Sequence, residues 1–186
     1  GYCLLKVEGS SDVAVSGLRL KDSPMYHLVV MNSSRVTVDH LNITIASEAV
    51  GDVGPYNTDG VSIIASSNVS IRHSSIESGD DNIVIKEASK GIEGTNLTLT
   101  RGKGISIGSL GERSADYQEV ADVVFRNVTV LSSVFGARLK TWRDGQGVVR
   151  NVTFAQFRVE KVSQGFIVDQ NYCPRSQRPE GCSDAA

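Results

Sequence analysis

Asn68-Val-Ser-Ile-Arg-His-Ser-Ser-Ile76 is one copy of a phrase to which the chain keeps returning. Asp12-Val-Ala-Val-Ser-Gly-Leu-Arg-Leu20, Arg35-Val-Thr-Val-Asp-His-Leu-Asn-Ile43, Asp122-Val-Val-Phe-Arg-Asn-Val-Thr-Val130 and Asn151-Val-Thr-Phe-Ala-Gln-Phe-Arg-Val159 align to it without gaps. A shorter copy is read from Asn96, followed by Leu-Thr-Leu and cut off at Gly102. The second and fourth places are apolar, and the ninth is Leu, Ile or Val. Copies therefore begin at 12, 35, 68, 96, 122 and 151, spaced 23 to 33 residues apart.

A second short run follows each copy: His27-Leu-Val-Val, Gly60-Val-Ser-Ile-Ile, Asn82-Ile-Val-Ile, Gly104-Ile-Ser-Ile, Ala137-Arg-Leu-Lys and Gly165-Phe-Ile-Val. Short β-branched runs bounded by turn residues are the pattern of buried strands. A period of this length holding only short strands implies stacked coils. The expected fold is all-β, a right-handed single-stranded parallel β-helix of about six coils, with residues 1–186 as one domain that is a fragment lacking terminal coils. Leucine-rich repeats share the period but not the Leu-x-x-Leu-x-Leu spacing, and a β-sandwich would not repeat one phrase.

Composition agrees with strands and turns. Hydrophobic residues make up 40%, with 18 Gly, 4 Pro and 1 Trp, and no long Leu/Ala/Glu/Lys stretch of helical period occurs. The net charge of −2 comes from interleaved acids and bases; without a basic face, nucleic acid is not an expected partner. No apolar run approaches the ~20 residues that span a bilayer, so no membrane association is expected. The chain opens at Gly1 rather than Met and reads as a fragment or mature segment. Six Asn-x-Ser/Thr sequons lean toward a secreted, extracellular glycoprotein. Of these, Asn68, Asn96 and Asn151 are read at one place of the repeat, where they could serve the fold instead. Cys173 and Cys182 flank a polar loop and could close a disulfide, leaving Cys3 to pair with a cysteine missing from this fragment or to remain free; three free thiols is the equal alternative.

Stacking turns sequence period into spatial neighbourhood, because equivalent residues of successive coils lie roughly 4.8 Å apart. Asn57-Thr-Asp59-Gly, Gly79-Asp80-Asp81, Gly102-Lys103-Gly104, Arg138-Leu-Lys140 and Asp169-Gln-Asn-Tyr172 recur at steps of 21, 23, 35 and 34 residues, measured Asp59–Asp80–Lys103–Arg138–Tyr172. Three carboxylates, three cations and a tyrosine are thus expected on one stripe. Clustered carboxylates cannot all ionise easily, so one retains a proton and can act as an acid. An inverting glycosidase needs such an acid and a carboxylate base. Arg138 can grip a sugar carboxylate bidentately and Lys140 adds a compact charge, which suits an acidic polysaccharide.

These residues, with Gly102-Lys-Gly-Ile-Ser-Ile-Gly-Ser-Leu-Gly111, resemble the ordered signature motifs of glycoside hydrolase family 28, the polygalacturonases and relatives that cut pectin. The resemblance runs from about Asn57 to Tyr172. It implies Asp80 as general acid and Asp59 with Asp81 activating the water. It also implies Arg138, Lys140 and Tyr172 binding the galacturonate, Asn57 orienting its neighbours, no cofactor or metal, and a monomer acting on homogalacturonan. Exo action is slightly favoured.

Two departures stand out. Lys103 occupies the place of the family's histidine; its ammonium should favour an ionised aspartate, giving a more acidic optimum or weaker activity. Asn82 stands where many members carry Cys, which suggests an exchanged packing solution. The rival readings are a family member with altered or lost catalysis that binds acidic glycans, an endo-polygalacturonase or rhamnogalacturonan-type hydrolase, and a calcium-dependent pectate lyase. His73 and His40, read one position out of step in successive copies, are expected to be solvated or packed. Trp142 is expected to stack on a sugar or cap its strand, and residues 48–56 to form a loop beside the cleft.

Overall fold

The computed structural model describes residues 2–46, 57–112 and 115–173; the 48–56 insertion, Cys182 and residues 175–186 lie outside the described residues. The second runs form one parallel sheet. It consists of β1 (Cys3–Glu8), β4 (Tyr26–Met31), β7 (Val61–Ile64), β9 (Ile83–Ile85), β11 (Ile105–Leu110), β13 (Phe135–Thr141) and β15 (Gln164–Asp169), in that spatial order. The nine-residue phrases form the facing sheet, from β2 (Ser11–Ser16) through β5 (Ser34–Asp39), β8 (Ser67–Ser78), β10 (Ser89–Arg101) and β12 (Tyr117–Leu131) to β14 (Gln146–Glu160). β3 (Arg19–Lys21) pairs with β6 (Asn42–Thr44), and β6 pairs with the second half of β8. The fold is the expected right-handed parallel β-helix.

The core is built as columns. Leu28, Val61, Ile83, Ile105 and Ala137 pair in sequence across the first sheet. Val36, Val69, Ile92, Val123 and Val152 do so across the second. Apart from Val152, which is partly buried, all of these are buried. Each buried aliphatic side chain adds about 2 kcal/mol of transfer free energy, and a residue that slipped by one would turn its neighbours outward.

The nine-residue phrase has a backbone reason. Its first place holds Asp12 (φ 58°), Arg35 (52°), Asn68 (53°), Asp122 (55°) and Asn151 (53°), and its sixth holds His40 (51°), His73 (48°), Asn127 (52°) and Gln156 (56°). Left-handed φ bends the strand and is tolerated best by Gly, Asn, Asp and His. This accounts for Asn at these corners without a glycan.

The fourth copy is shifted from its sequence reading. Ile92 pairs with Val69 and Leu97 with Ser74, so the copy starts at Gly91 (φ 67°), and Asn96 occupies the sixth place, not the first. There Asn127 Nδ2 donates to Asn96 Oδ1 at 2.6 Å. The apolar signal fails because the fourth place is Gly94. A Cβ on Gly94 would lie 2.2 Å from the Phe125 ring, so the large residue of the next coil fills the missing volume. His40 and His73 are likewise in step, with ring centroids 5.2 Å apart.

Cys173 is disulfide-bonded, and Cys3 is a free thiol. On the last strands, Phe154, Phe157 and Phe166 pack ring on ring, with centroids 5.5–6.0 Å apart, while Phe166 is 56% exposed.

Candidate active site

The charged residues gather where the chain enters the first sheet and along that sheet's outer face. Asp59, Asp81 and Lys103 each stand two residues ahead of a paired strand residue (Val61, Ile83 and Ile105), so they line one column. Gly60 N–H donates to Asp81 O at 3.0 Å, and Lys103 N–H to Asp80 O at 2.9 Å, locking the three coil entrances together. Glycines make this close approach possible. A Cβ on Gly60 would come within 2.4 Å of Asn82 O, and one on Gly102 (φ +64°) within 2.4 Å of Asp80 O. Gly104 (φ +68°) is pressed likewise against Phe135 O at 2.3 Å.

Arg138 and Lys140 are not in this column. Arg138 pairs with Ser106, three residues further along the strand, and its long side chain reaches back two coils. Its NH2 lies 2.9 Å from Asp81 Oδ1, and its Nε donates to Ser106 Oγ at 2.9 Å. Ser106 Oγ in turn donates to Asp81 Oδ1 at 2.7 Å, and Lys140 Nζ lies 2.8 Å from Asp81 Oδ2. The Arg138 guanidinium covers the Phe135 ring at 4.6 Å, and Lys140 Nζ lies 5.4 Å from the Tyr172 ring centroid. Tyr172 packs edge-on against Trp142, with centroids 5.9 Å apart. Trp142 therefore meets the tyrosine, and its Nε1 is buried without a hydrogen-bond partner among the described residues.

Asp80 has separate partners. Lys103 Nζ is 2.9 Å from its Oδ1, and the Asn57 backbone N–H donates to its Oδ2 at 3.2 Å. Asn57 thus meets Asp80 through its backbone, at φ 61°. All eight residues picked from the sequence come together here: Asp59, Asp80, Asp81, Lys103, Arg138, Lys140, Tyr172 and Asn57.

The carboxylates are electrostatically unequal. Burial raises the Asp59 carboxyl, and the charges of Asp81 and Asp80 raise it further, to about 7. Burial pushes Asp81 the same way, but the adjacent Lys140 and Arg138 charges outweigh it and hold that carboxyl down, at about 2. Burial lowers Lys140, and its ion pair with Asp81 opposes that shift. Burial also raises the Tyr172 phenol. At mildly acid pH the protonated member is therefore Asp59, and the ionised one is Asp81.

Further residues support the site, and all of them but Asn82 carried no sequence signal. Asn82, fully buried, donates from Nδ2 to Ile76 O (3.0 Å) and Thr100 O (3.2 Å) and accepts from Gly104 N–H at 2.8 Å. One amide thereby ties three backbone segments, which is the exchanged packing solution expected at that place. Ser62 Oγ lies 3.2 Å from Asp59 Oδ2. The buried His27 ring sits 3.0 Å from Asp59 O through Nδ1 and accepts from Ser23 N–H at Nε2 (3.4 Å). A carbonyl can only accept, so Nδ1 carries the proton. Tyr26, two residues ahead of Leu28 and so in the Asp59 column, has its phenol raised by burial and then by Asp59 and Asp80.

A sequence model described as glycosyl hydrolases family 28 matches residues 3–183. A polygalacturonase of Arabidopsis thaliana is 33% identical over 165 residues, covering 89% of this chain and 36% of that protein. An exopolygalacturonase of Oenothera organensis is 34% identical over 157 residues, covering 84% of this chain and 41% of its own length. Among solved structures, the endo-xylogalacturonan hydrolase from Aspergillus tubingensis superposes with a TM-score of 0.85 at 28% identity, covering 96% of this chain and 47% of that one. The chain thus spans between a third and half of the length of these relatives.

Proposed function

Because the chain belongs to glycosyl hydrolases family 28, we propose that it hydrolyses α-1,4-galacturonosyl linkages of pectin with inversion, as part of a secreted enzyme. The observation that carries this reading is the gathering of Asp59, Asp80 and Asp81 on one face of the β-helix, with Lys103 paired to Asp80 and with Arg138 and Lys140 paired to Asp81. Residues 1–186 serve as one domain in this reading, and the substrate is the only partner it requires.

In this mechanism Asp80 takes up a proton when Lys103 releases its carboxylate in the substrate complex, and gives that proton to the glycosidic oxygen as the C1–O bond breaks. Water attacks C1 from the opposite side and loses its proton to the Asp81 carboxylate, while Asp59 holds that water. The hold of two cations makes Asp81 a weak base in the free protein. Their bonds to Asp81 and Ser106 use two of the roughly five N–H donors of Arg138 and one of the about three of Lys140. The remaining donors, without a partner among the described residues, can take a galacturonate carboxylate, and a substrate anion sharing these cations relaxes their grip on Asp81. Binding the acidic sugar thereby strengthens the base, which favours uronides over neutral sugars.

The test uses the full chain on oligogalacturonides of defined length. Asp80→Asn should lower kcat by about 1,000-fold or more with KM little changed, as expected for loss of a proton donor acting in the transition state. A variant with the wild-type rate would remove Asp80 from the role of acid. Monomer as the sole early product identifies exo action, the mode we favour; a ladder of oligomers identifies endo action.

The Lys103–Asp80 ion pair at 2.9 Å supports a second reading, a glycan-binding member with lowered catalysis. Lys103→His decides between them. A gain in turnover supports the hydrolase, and unchanged binding with no gain supports the binder.

A further inference from the structure

From the convergence of Asp39, His40 and His73 on the eight-stranded sheet, we propose a second site, one that takes a borderline divalent cation such as Zn2+. Asp39 ends β5, His40 follows it in the corner, and His73 occupies the same corner of β8 one coil later. Both rings turn the same nitrogen to the same oxygen: His40 Nδ1 is 2.9 Å from Asp39 Oδ1, and His73 Nδ1 is 3.0 Å from it. All three donor atoms lie within 4.8 Å of one another.

The spacing is that of ligands around one ion. Zinc bonds of ~2.0–2.2 Å at roughly tetrahedral angles put neighbouring ligand atoms about 3–3.5 Å apart. Two imidazoles and one carboxylate form a donor set for zinc, with solvent completing the shell. An ion seated among the three atoms needs the Nδ1 lone pairs, so each neutral ring moves its proton to Nε2.

The surroundings support an anionic carboxylate there. Arg72 Nε contacts Oδ2 at 3.3 Å, on the other oxygen, so Oδ1 is left for the ion. The imidazoles are 67% and 44% exposed, so an ion reaches them from solvent.

A structural role for these histidines is weaker than the pattern demands. The sixth place elsewhere carries Gly17, Asn96, Asn127 and Gln156, which meet the left-handed backbone without stacking two titratable rings. An ion at this place would clip β5 to β8, two coils whose sequence separation is the longest in the repeat, at 33 residues.

The experiment is a ZnCl2 titration of the full chain by calorimetry at pH 7.5, with a thermal melt beside it. The expected result is saturable one-to-one binding and a zinc-dependent rise in melting temperature. His40→Asn and His73→Asn each place in the corner a residue that the chain already uses there, so folding is preserved. Each should weaken binding by roughly tenfold or more, and the double variant should abolish it, since coordination at this site rests on both rings. Absence of saturable binding, or binding undiminished in the folded double variant, overturns the proposal.

Discussion

Asp12 and Arg35 face each other one coil apart on the outside of the eight-stranded sheet, with Arg35 Nε 2.6 Å from Oδ1 and NH2 2.7 Å from Oδ2. Asp81 meets Arg138 at 2.9 Å and Lys140 at 2.8 Å on the outside of the seven-stranded sheet. Both are coil-to-coil pairs of an aspartate with stacked cations, and by distance alone the first has the better geometry. Solvent separates them. The Asp12 side chain is 67% exposed, whereas that of Asp81 is 4% exposed, and those of Arg138 and Lys140 are 10% and 7% exposed. Water screens the first pair until it holds little. In the second, each charge has lost its hydration and depends on the others, so removing one leaves its partners uncompensated. A fold rarely accepts that liability for stability alone.

The largest effect expected from this contrast is at Asp81. Asp81→Asn keeps the shape but strands two buried cations, which should cost about 3–5 kcal/mol of stability. The measurement is the urea midpoint at pH 7. A loss no larger than that of a surface pair would mean that water already reaches the cluster, and the contrast would fail.

Asp59 sharpens the comparison in the opposite direction, because it is buried among like charges. Its carboxyl is raised to about 7 from an ordinary 3.8, so between these values the folded chain binds a proton that the unfolded chain has released. Stability from this group is present below about pH 4, falls as pH rises toward 7 and is flat above. Asp81, held at about 2, works the other way: its contribution is present above about pH 4 and is lost as pH falls through 2. Asp59→Asn should therefore stabilise the chain at pH 8 by ~1–3 kcal/mol while changing little at pH 4. Its hydrolytic rate should fall. Equal shifts in the urea midpoint at both pH values would show that Asp59 is not the group that keeps the proton.

The parts of this site that were legible in the sequence are those that repeat or carry charge. A parallel stack converts a period into contact, so Asp59, Asp80, Asp81 and Lys103 could be brought together from spacing alone. Arg138 and Lys140 follow because their side chains are long enough to reach across a register that spacing misjudged. Gly94 hid the start of one copy of the repeat, since the volume it lacks belongs to Phe125, 31 residues later. Ser106, His27 and Tyr26 were silent for another reason. A hydroxyl or a ring is ordinary in any strand, and its meaning comes only from the partner that the next coil sets beside it. The proton on Asp59 is a property of burial, which a charge pattern does not contain.

The smallest effect closes the comparison, and it is informative because geometry argues for a large one. Arg35 makes two short bonds to Asp12, and both groups are drawn toward their charged forms by that pairing. Solvation would provide nearly the same to each when apart, and ordering the arginine side chain has an entropic cost. Arg35 also occupies a left-handed corner at φ 52°, where arginine has no advantage over asparagine. Arg35→Asn should therefore leave the urea midpoint unchanged or slightly raised, since the corner gains what the ion pair loses. A clear loss of stability, removed at high salt, would mean that charge pairs help to bind the coils even in open solvent. The two faces of the β-helix would then differ in degree, and burial alone would not explain why one of them holds the candidate active site.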